Sequence, residues 1–180
     1  MSSVEDNDLV RATLQGDRAA FDELVDRHQM KLFNMALRIT GNKDDALDVS
    51  QTAFLKAYDN LKQFKPAYRF FSWIYRIAMN EALDLVNRRR ALTELKPEIP
   101  EPAAGPEARY WGNQAGRRLQ AALMELKPPY RAVIVLRHLH GLSYREISDV
   151  VGAPERTVKS RLFTARQQLR VSLASSGVTP

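Results

Sequence analysis

Apolar residues recur along this chain at intervals of three and four, the period of helices that bury one face. Residues 8–15 place Leu9, Val10 and Leu14 on such a stripe, and Gly16-Asp17 interrupts it. Residues 18–40 form a longer run through Phe21, Leu24, Val25, Leu32, Phe33, Ala36 and Leu37, closed by Gly41-Asn42. Glycine commonly ends a helix because it reaches left-handed backbone angles at little cost. Residues 44–61 turn Ala46, Val49, Ala53, Phe54 and Ala57 inward; Asp44, Asp45 and Asp48 come early, where the helix dipole favours acids. Residues 70–91 repeat the pattern with Trp73, Ile74, Ile77, Ala78, Leu85 and Val86. Beyond a break, residues 117–127 carry Leu119, Ala122, Leu123 and Leu126. Pro128-Pro129 then opens a helix running to about residue 140 through Ala132, Val133, Leu136 and Leu139. No segment alternates with the period of a strand and none repeats, so the chain is expected to be all-α. Residues 1–7 and 172–180 are expected to fray.

Residues 141–169, GLSYREISDVVGAPERTVKSRLFTARQQL, hold the sharpest local signal. Ser143 and Glu146 have the spacing of a capping box. Ile147, Val150 and Val151 stripe one short helix, Gly152 supplies a tight turn, and Pro154 suits the first position of the next helix. There Val158, Leu162, Ala165 and Leu169 face inward, which leaves Arg156, Ser160, Phe163, Thr164 and Gln167 outward, flanked by Lys159, Arg161 and Arg166. Such a face suits a DNA major groove. An ordinary αα-hairpin with a solvated basic face is the plainer alternative, but it leaves an outward Phe163 without a partner.

Composition divides the chain. Within residues 92–116 stand Pro97, Pro100, Pro102 and Pro106 with Glu94, Glu98, Glu101 and Glu107, and no helical period survives. An extended acidic linker is expected there, between domains of residues 1–91 and 117–180. The net charge of +6 is unevenly shared: residues 66–91 carry five Lys and Arg against two Asp and Glu, and residues 117–180 carry eleven against four. Two basic surfaces on one chain point to two contacts with a polyanion. The absence of cysteine excludes disulfides and thiolate metal sites. With no long apolar run and no leader pattern, the expectation is a cytoplasmic protein without membrane insertion.

Residues 62–69, KQFKPAYR, read as a loop because Pro66 breaks a helix. Phe64 and Tyr68 are interleaved with Lys62, Lys65 and Arg69. Unstacked bases bind rings backed by cations, although the same aromatics would equally serve to pin the loop to the core. The following helix aligns Arg76, Asn80 and Asp84 and ends in Arg88-Arg89-Arg90, a phosphate clamp in waiting. The outer face of residues 44–61, with Asp48, Gln51, Thr52, Leu55, Lys56 and Asp59, reads from spacing alone as plain surface rather than a docking site. His138 and His140 are two apart and point to different sides of a helix, a poor metal pair, and His28 stands alone. Asp44, Asp45 and Asp48 are explained by the helix dipole more simply than by a cation. No phosphate loop or nucleophile elbow is present. Neither enzyme activity nor a cofactor nor a metal is expected.

Four blocks in order carry a resemblance: GDRAAFDELVDRHQMKLFNMAL, DDALDVSQTAFLKAYDNLKQF, FFSWIYRIAMNEALDLVNRRR and LKPPYRAVIVLRHLHGLSYREISDVVGAPERTVKSRLFTARQQL. Together they resemble the extracytoplasmic-function (ECF) sigma factors of bacterial RNA polymerase, within the sigma-70 family. The resemblance implies a four-helix region 2 that opens and reads the minus-ten element, a linker, and a region 4 whose helix-turn-helix reads the minus-35 element. It assigns minus-ten contacts to Phe64, Lys65, Tyr68, Arg69, Trp73, Arg76, Asn80, Asp84 and Arg88. Minus-35 contacts fall to Arg156, Thr157, Lys159, Ser160, Arg161, Phe163, Thr164, Arg166 and Gln167. It also turns Asp48, Gln51, Thr52, Leu55 and Lys56 from plain surface, together with the inward Phe54, into a grip on the polymerase beta-prime clamp.

The implied partners are core RNA polymerase (beta-prime clamp and beta flap), promoter DNA and an anti-sigma factor, in the service of a stress or envelope-response regulon. The chain departs from family habit at Ser50-Gln51-Thr52, at Thr164 and in the KPAYR loop. The competing reading is a stand-alone helix-turn-helix regulator with a helical sensor domain, which would need a ligand pocket in its first half. A purely structural helical adaptor leaves both basic blocks unexplained.

Overall fold

The computed structural model describes residues 5–95 and 114–175, and every regular element in them is helical. The first domain comprises α1 (Asp6–Leu14), α2 (Arg18–Thr40), α3 (Lys43–Asp59), a single 3-10 turn (Leu61–Gln63) and α4 (Phe70–Leu95). The second comprises α5 (Gln114–Glu125), α6 (Pro128–Ile134) continuing as a π turn (Val135–Leu139), α7 (Tyr144–Val151) and α8 (Glu155–Ser175). The proline-rich core of the expected linker, residues 96–113, lies outside the described residues.

Local chemistry explains the boundaries. Asp17 caps α2 by accepting from Ala19 N–H. Gly41, at φ 73°, ends α2, and Asn42 then caps α3 by accepting from Asp45 N–H. Leu24, Leu32, Met35, Ile39, Ile74 and Met79 are fully buried where α2, α3 and α4 meet. Asp45 does more than complement a dipole. It is buried, and Arg89 of α4 pairs with it. Burial raises the Asp45 pKa, and the guanidinium opposes that rise.

Several expectations shift at the ends. The first helix begins at Asp6, not at residue 8, and Asp6 and Asn7 make specific contacts. The fourth reaches Leu95, because RRRALTEL holds no breaker before Pro97. The last runs to Ser175 with Ser172 buried, so residues 172–175 are not frayed. Pro154 stands just ahead of α8 and gives its carbonyl to Val158 N–H, one position earlier than the pattern implied.

In the second domain the capping box forms: Ser143 Oγ accepts from Glu146 N–H, and the Glu146 carboxylate accepts from Ser143 N–H. Gly152 supplies the left-handed turn at φ 63°. Arg131 is buried, and among the described residues no carboxylate pairs with it. Its guanidinium donates to the carbonyls of Leu123, Met124 and Leu126 at the end of α5, and to Ile39 O in the other domain. The negative ends of two helices thus share one cation. Burial lowers its pKa to about 10, still charged at neutral pH.

The domains pack directly, with α7 against α4 and α6 and the π turn against α2 and α4. Arg69 pairs with Glu146 at 3.2 Å, Arg38 donates to Gln120 Oε1 at 3.3 Å, and Tyr75 meets His140. A cleft of about 750 Å³ opens beside this seam, lined by Lys31, Arg38, Arg69, Phe71, Tyr75 and His140 among others.

Candidate nucleic-acid interface

Helix α8 divides as its period requires. Val158, Leu162 and Ala165 are buried and Leu169 is half-buried. Arg156, Lys159, Ser160, Arg166 and Gln167 are exposed, and Phe163 is 64% exposed. Thr157, Arg161 and Thr164 are half-buried at the margins. Two neighbours hold the cations of this face, and the sequence reading missed both. The Tyr144 ring lies 5.4 Å from Lys159 Nζ and 5.0 Å from the Arg137 guanidinium. Arg166 Nε donates to His138 Nε2 at 3.2 Å. Burial, then Arg166 and Arg137, lower the His138 pKa and keep it a neutral acceptor. The available signal was weak: an aromatic at the start of α7 and a histidine at the end of the preceding helix, each separated in sequence from its cation.

The loop between α3 and α4 sorts its aromatics. Phe64 is only 7% exposed, with its ring 5.9 Å from Phe70 and 5.4 Å from Trp73. It therefore pins the loop to the core and has no free face for a base, which corrects its place among the base-stacking residues. Tyr68 is 54% exposed and stands between exposed Lys65 and Arg69. Trp73 is half-buried against Phe64 and Phe70, so it chiefly supports. Along α4, Arg76, Asn80, Asp84 and Arg88 are all exposed, and Arg88 Nε bonds Asp84 O at 3.3 Å. Arg76 reaches towards the turn of the other domain: its Nη2 lies 3.5 Å from where a Cβ on Gly152 would stand.

On α3, Asp48, Gln51, Leu55 and Lys56 share an outer face, with Thr52 half-buried. Leu55, at 67% exposure, is its apolar centre, and Lys56 pairs with Glu81 of α4. Phe54 does not belong to this face: it is buried, edge-on to Phe21, and its place among the clamp contacts is corrected to core. Among the described residues no cluster of three or more His, Asp or Glu side chains is placed to hold a metal. No described helix is long and apolar enough to cross a membrane.

Known proteins resemble this chain. Residues 24–92 match the family model for sigma-70 region 2, and residues 116–169 match that for sigma-70 region 4. The ECF RNA polymerase sigma factor SigE of Mycolicibacterium smegmatis is 40% identical over 167 residues, covering 88% of this chain and 65% of the relative. SigW of Bacillus subtilis is 31% identical over 176 residues, covering 91% of this chain and 94% of its own length. A solved structure of CnrH in complex with the cytosolic domain of CnrY superposes with a TM-score of 0.75 at 30% identity, covering 94% of this chain and 97% of that one. Two family regions in the right order displace the stand-alone regulator, whose first domain would be a sensor. The chain belongs to the ECF group of the sigma-70 family: it is a sigma factor of transcription initiation.

Proposed function

We propose that the first domain captures the melted minus-ten strand and grips core RNA polymerase, while the second reads the minus-35 element as duplex. The observation that carries this reading is the sorting of the loop: Phe64 anchors it, and Tyr68 is left outward between two cations. A half-exposed ring in a basic loop gains little from stacked duplex but stacks well on an unpaired base. Asn80 and Asp84 offer hydrogen bonds to base edges from the rigid α4, and Arg88 a charge for phosphate. On α8, Arg156, Ser160, Phe163 and Gln167 face bases, while Lys159, Arg161 and Arg166 hold the backbone, with Thr157 and Thr164 at the margins. Leu55, Gln51, Asp48, Thr52 and Lys56 dock on the polymerase clamp, and the second domain engages the flap. The chain itself performs no bond chemistry and works in the cytoplasm on envelope- or stress-response promoters.

The closed seam supports a second partner. Arg69 and Arg76 of the minus-ten face lie against α7 and its turn, so this arrangement is a resting one that must open on promoter DNA. CnrH is bound by the cytosolic domain of CnrY in the related structure. In this chain an anti-sigma segment with acidic and apolar side chains fits the cleft edged by Lys31, Arg38 and Phe71.

The test is transcription in vitro with purified core polymerase and a randomised promoter library. Polymerase-dependent opening, selected for both elements, is the expected result. Sequence-specific duplex binding without polymerase, and no opening on any promoter, would overturn it.

A further inference from the structure

The residue 64–69 loop is anchored at its start by Phe64 and at its end by Phe70, which is 1% exposed. Within the first domain its tip is tied at the surface by Asn7 Nδ2, which donates to Pro66 O at 3.2 Å across 59 positions of sequence, while Arg69 at its end pairs with Glu146 of the other domain. Proline has no N–H, so that carbonyl is the only backbone group by which Pro66 can be tied. The neighbouring Asp6 ties α1 to α2. Its Oδ2 is 2.8 Å from His28 Nε2, and its Oδ1 accepts from Arg27 at 3.2 Å. His28 is buried, with its ring 5.7 Å from Phe70 and 6.4 Å from Phe71. The same short segment thus touches the loop tip through Asn7 and the loop's far anchor through Asp6 and His28.

The chemistry of His28 shows that the tie is specific. The Nε2–Oδ2 pair satisfies one ring nitrogen, while Nδ1 is buried with no hydrogen-bond partner among the described residues. An apolar side chain would fill the same space without that penalty.

We propose that Asn7, fixed by the Asp6–His28 pair, is a positioning residue for single-strand capture by the loop. The inference rests on the reading of that loop given above. A loop already held in its binding shape loses less freedom when a base stacks on Tyr68, so the tie favours the melted state. Asn7 touches no DNA and acts only through Pro66.

The experiment uses holoenzyme assembled from core polymerase and the full chain, with open complexes counted by permanganate-reactive thymines. Asn7→Ala, and the isosteric Asn7→Asp, which has no amide donor, should each lower opening on duplex promoters roughly threefold to tenfold, the weight of one hydrogen bond. A pre-melted template should restore the yield but leave base preference at the captured position flatter than wild type. Arg11→Ala, which breaks a surface pair with Asp8 on the same helix, should change nothing. Tyr68→Ala separates the two claims. If it is impaired while both Asn7 variants open normally, the positioning role is overturned and the loop reading stands. If Tyr68→Ala also opens normally, both fall. A loss in Asn7→Ala that follows a lowered unfolding midpoint, with unchanged base preference, assigns Asn7 to stability alone and overturns the proposal.

Discussion

Tyr75 Oη of α4 lies 3.3 Å from His140 Nδ1 at the end of the π turn, and their rings meet edge to face with centroids 5.6 Å apart. The contact joins the two domains across 65 positions of sequence. Tyr75 has no solvent exposure, and the second domain covers part of its ring through the half-buried His140. Burial raises the Tyr75 pKa, and the phenol keeps its proton.

This pair makes closure sensitive to acid. Burial, then Lys31 and Arg38 of α2, lower the His140 pKa from 6.5 to about 4. Between those values an opened chain binds a proton that the closed chain excludes, so protonation favours opening. The contribution of this pair to closure is expected to be fully present at neutral pH and to weaken as pH falls from 6.5 towards about 4. Energy transfer between dyes on the two domains measures it. His140→Gln should flatten the profile across that window, and an unchanged profile would show that other groups control the seam.

The capping box and the seam share Glu146, and two substitutions separate their effects. Hydrogen bonds from Ser143 are the main cause of its lowered pKa, with Arg69 a smaller one. Ser143→Ala should destabilise the second domain by about 1 kcal/mol in urea unfolding. Glu146→Gln keeps a side chain able to complete the box. It loses only a pair whose Arg69 side chain is 79% exposed, and should cost less than about 0.5 kcal/mol.

Phe64 and Tyr68 should fail in different assays. Phe64→Ala empties a core position and is expected to cost about 3–5 kcal/mol of stability, lowering every activity together. Tyr68→Ala should unfold within about 0.5 kcal/mol of wild type. It should nonetheless reduce open complexes while closed-promoter binding persists, with a stacking loss of about 1–3 kcal/mol. Equal loss of closed and open complexes in Tyr68→Ala would remove it from strand capture.

On α8 the division of labour predicts two salt and sequence signatures. Arg156→Ala should cost about 1–3 kcal/mol at one base position and relax specificity there. Lys159→Ala should weaken all sequences alike and lower the salt slope by about one. Identical profiles for the two variants would show that the outward face is not partitioned.

Sequence by itself determined whatever depends on short spacing. The helical period assigned the buried and outward faces of α8, because residues three and four apart share a side whatever packs against it. The Ser143–Glu146 box and the left-handed turns at Gly41 and Gly152 were legible for the same reason: their partners lie within five residues. A docking role for the outer face of α3 was suggested only by resemblance, since an exposed mixed surface has no period that marks a partner. Tertiary structure decided the rest. Phe64 and Tyr68 flank one proline in a loop without periodicity, and only the Phe70–Trp73 cluster draws one ring in and leaves the other out. Phe54 was already inward by the helical period, and its contact with Phe21 sets that reading above the one the resemblance implied. Arg131 and Tyr75 look like surface residues until Ile39 O and His140 come against them from the other domain. Asn7 looks like a loose end until Pro66 O comes within hydrogen-bond distance. Each of these outcomes rests on a desolvated contact between distant segments, and no local pattern records which segments will meet.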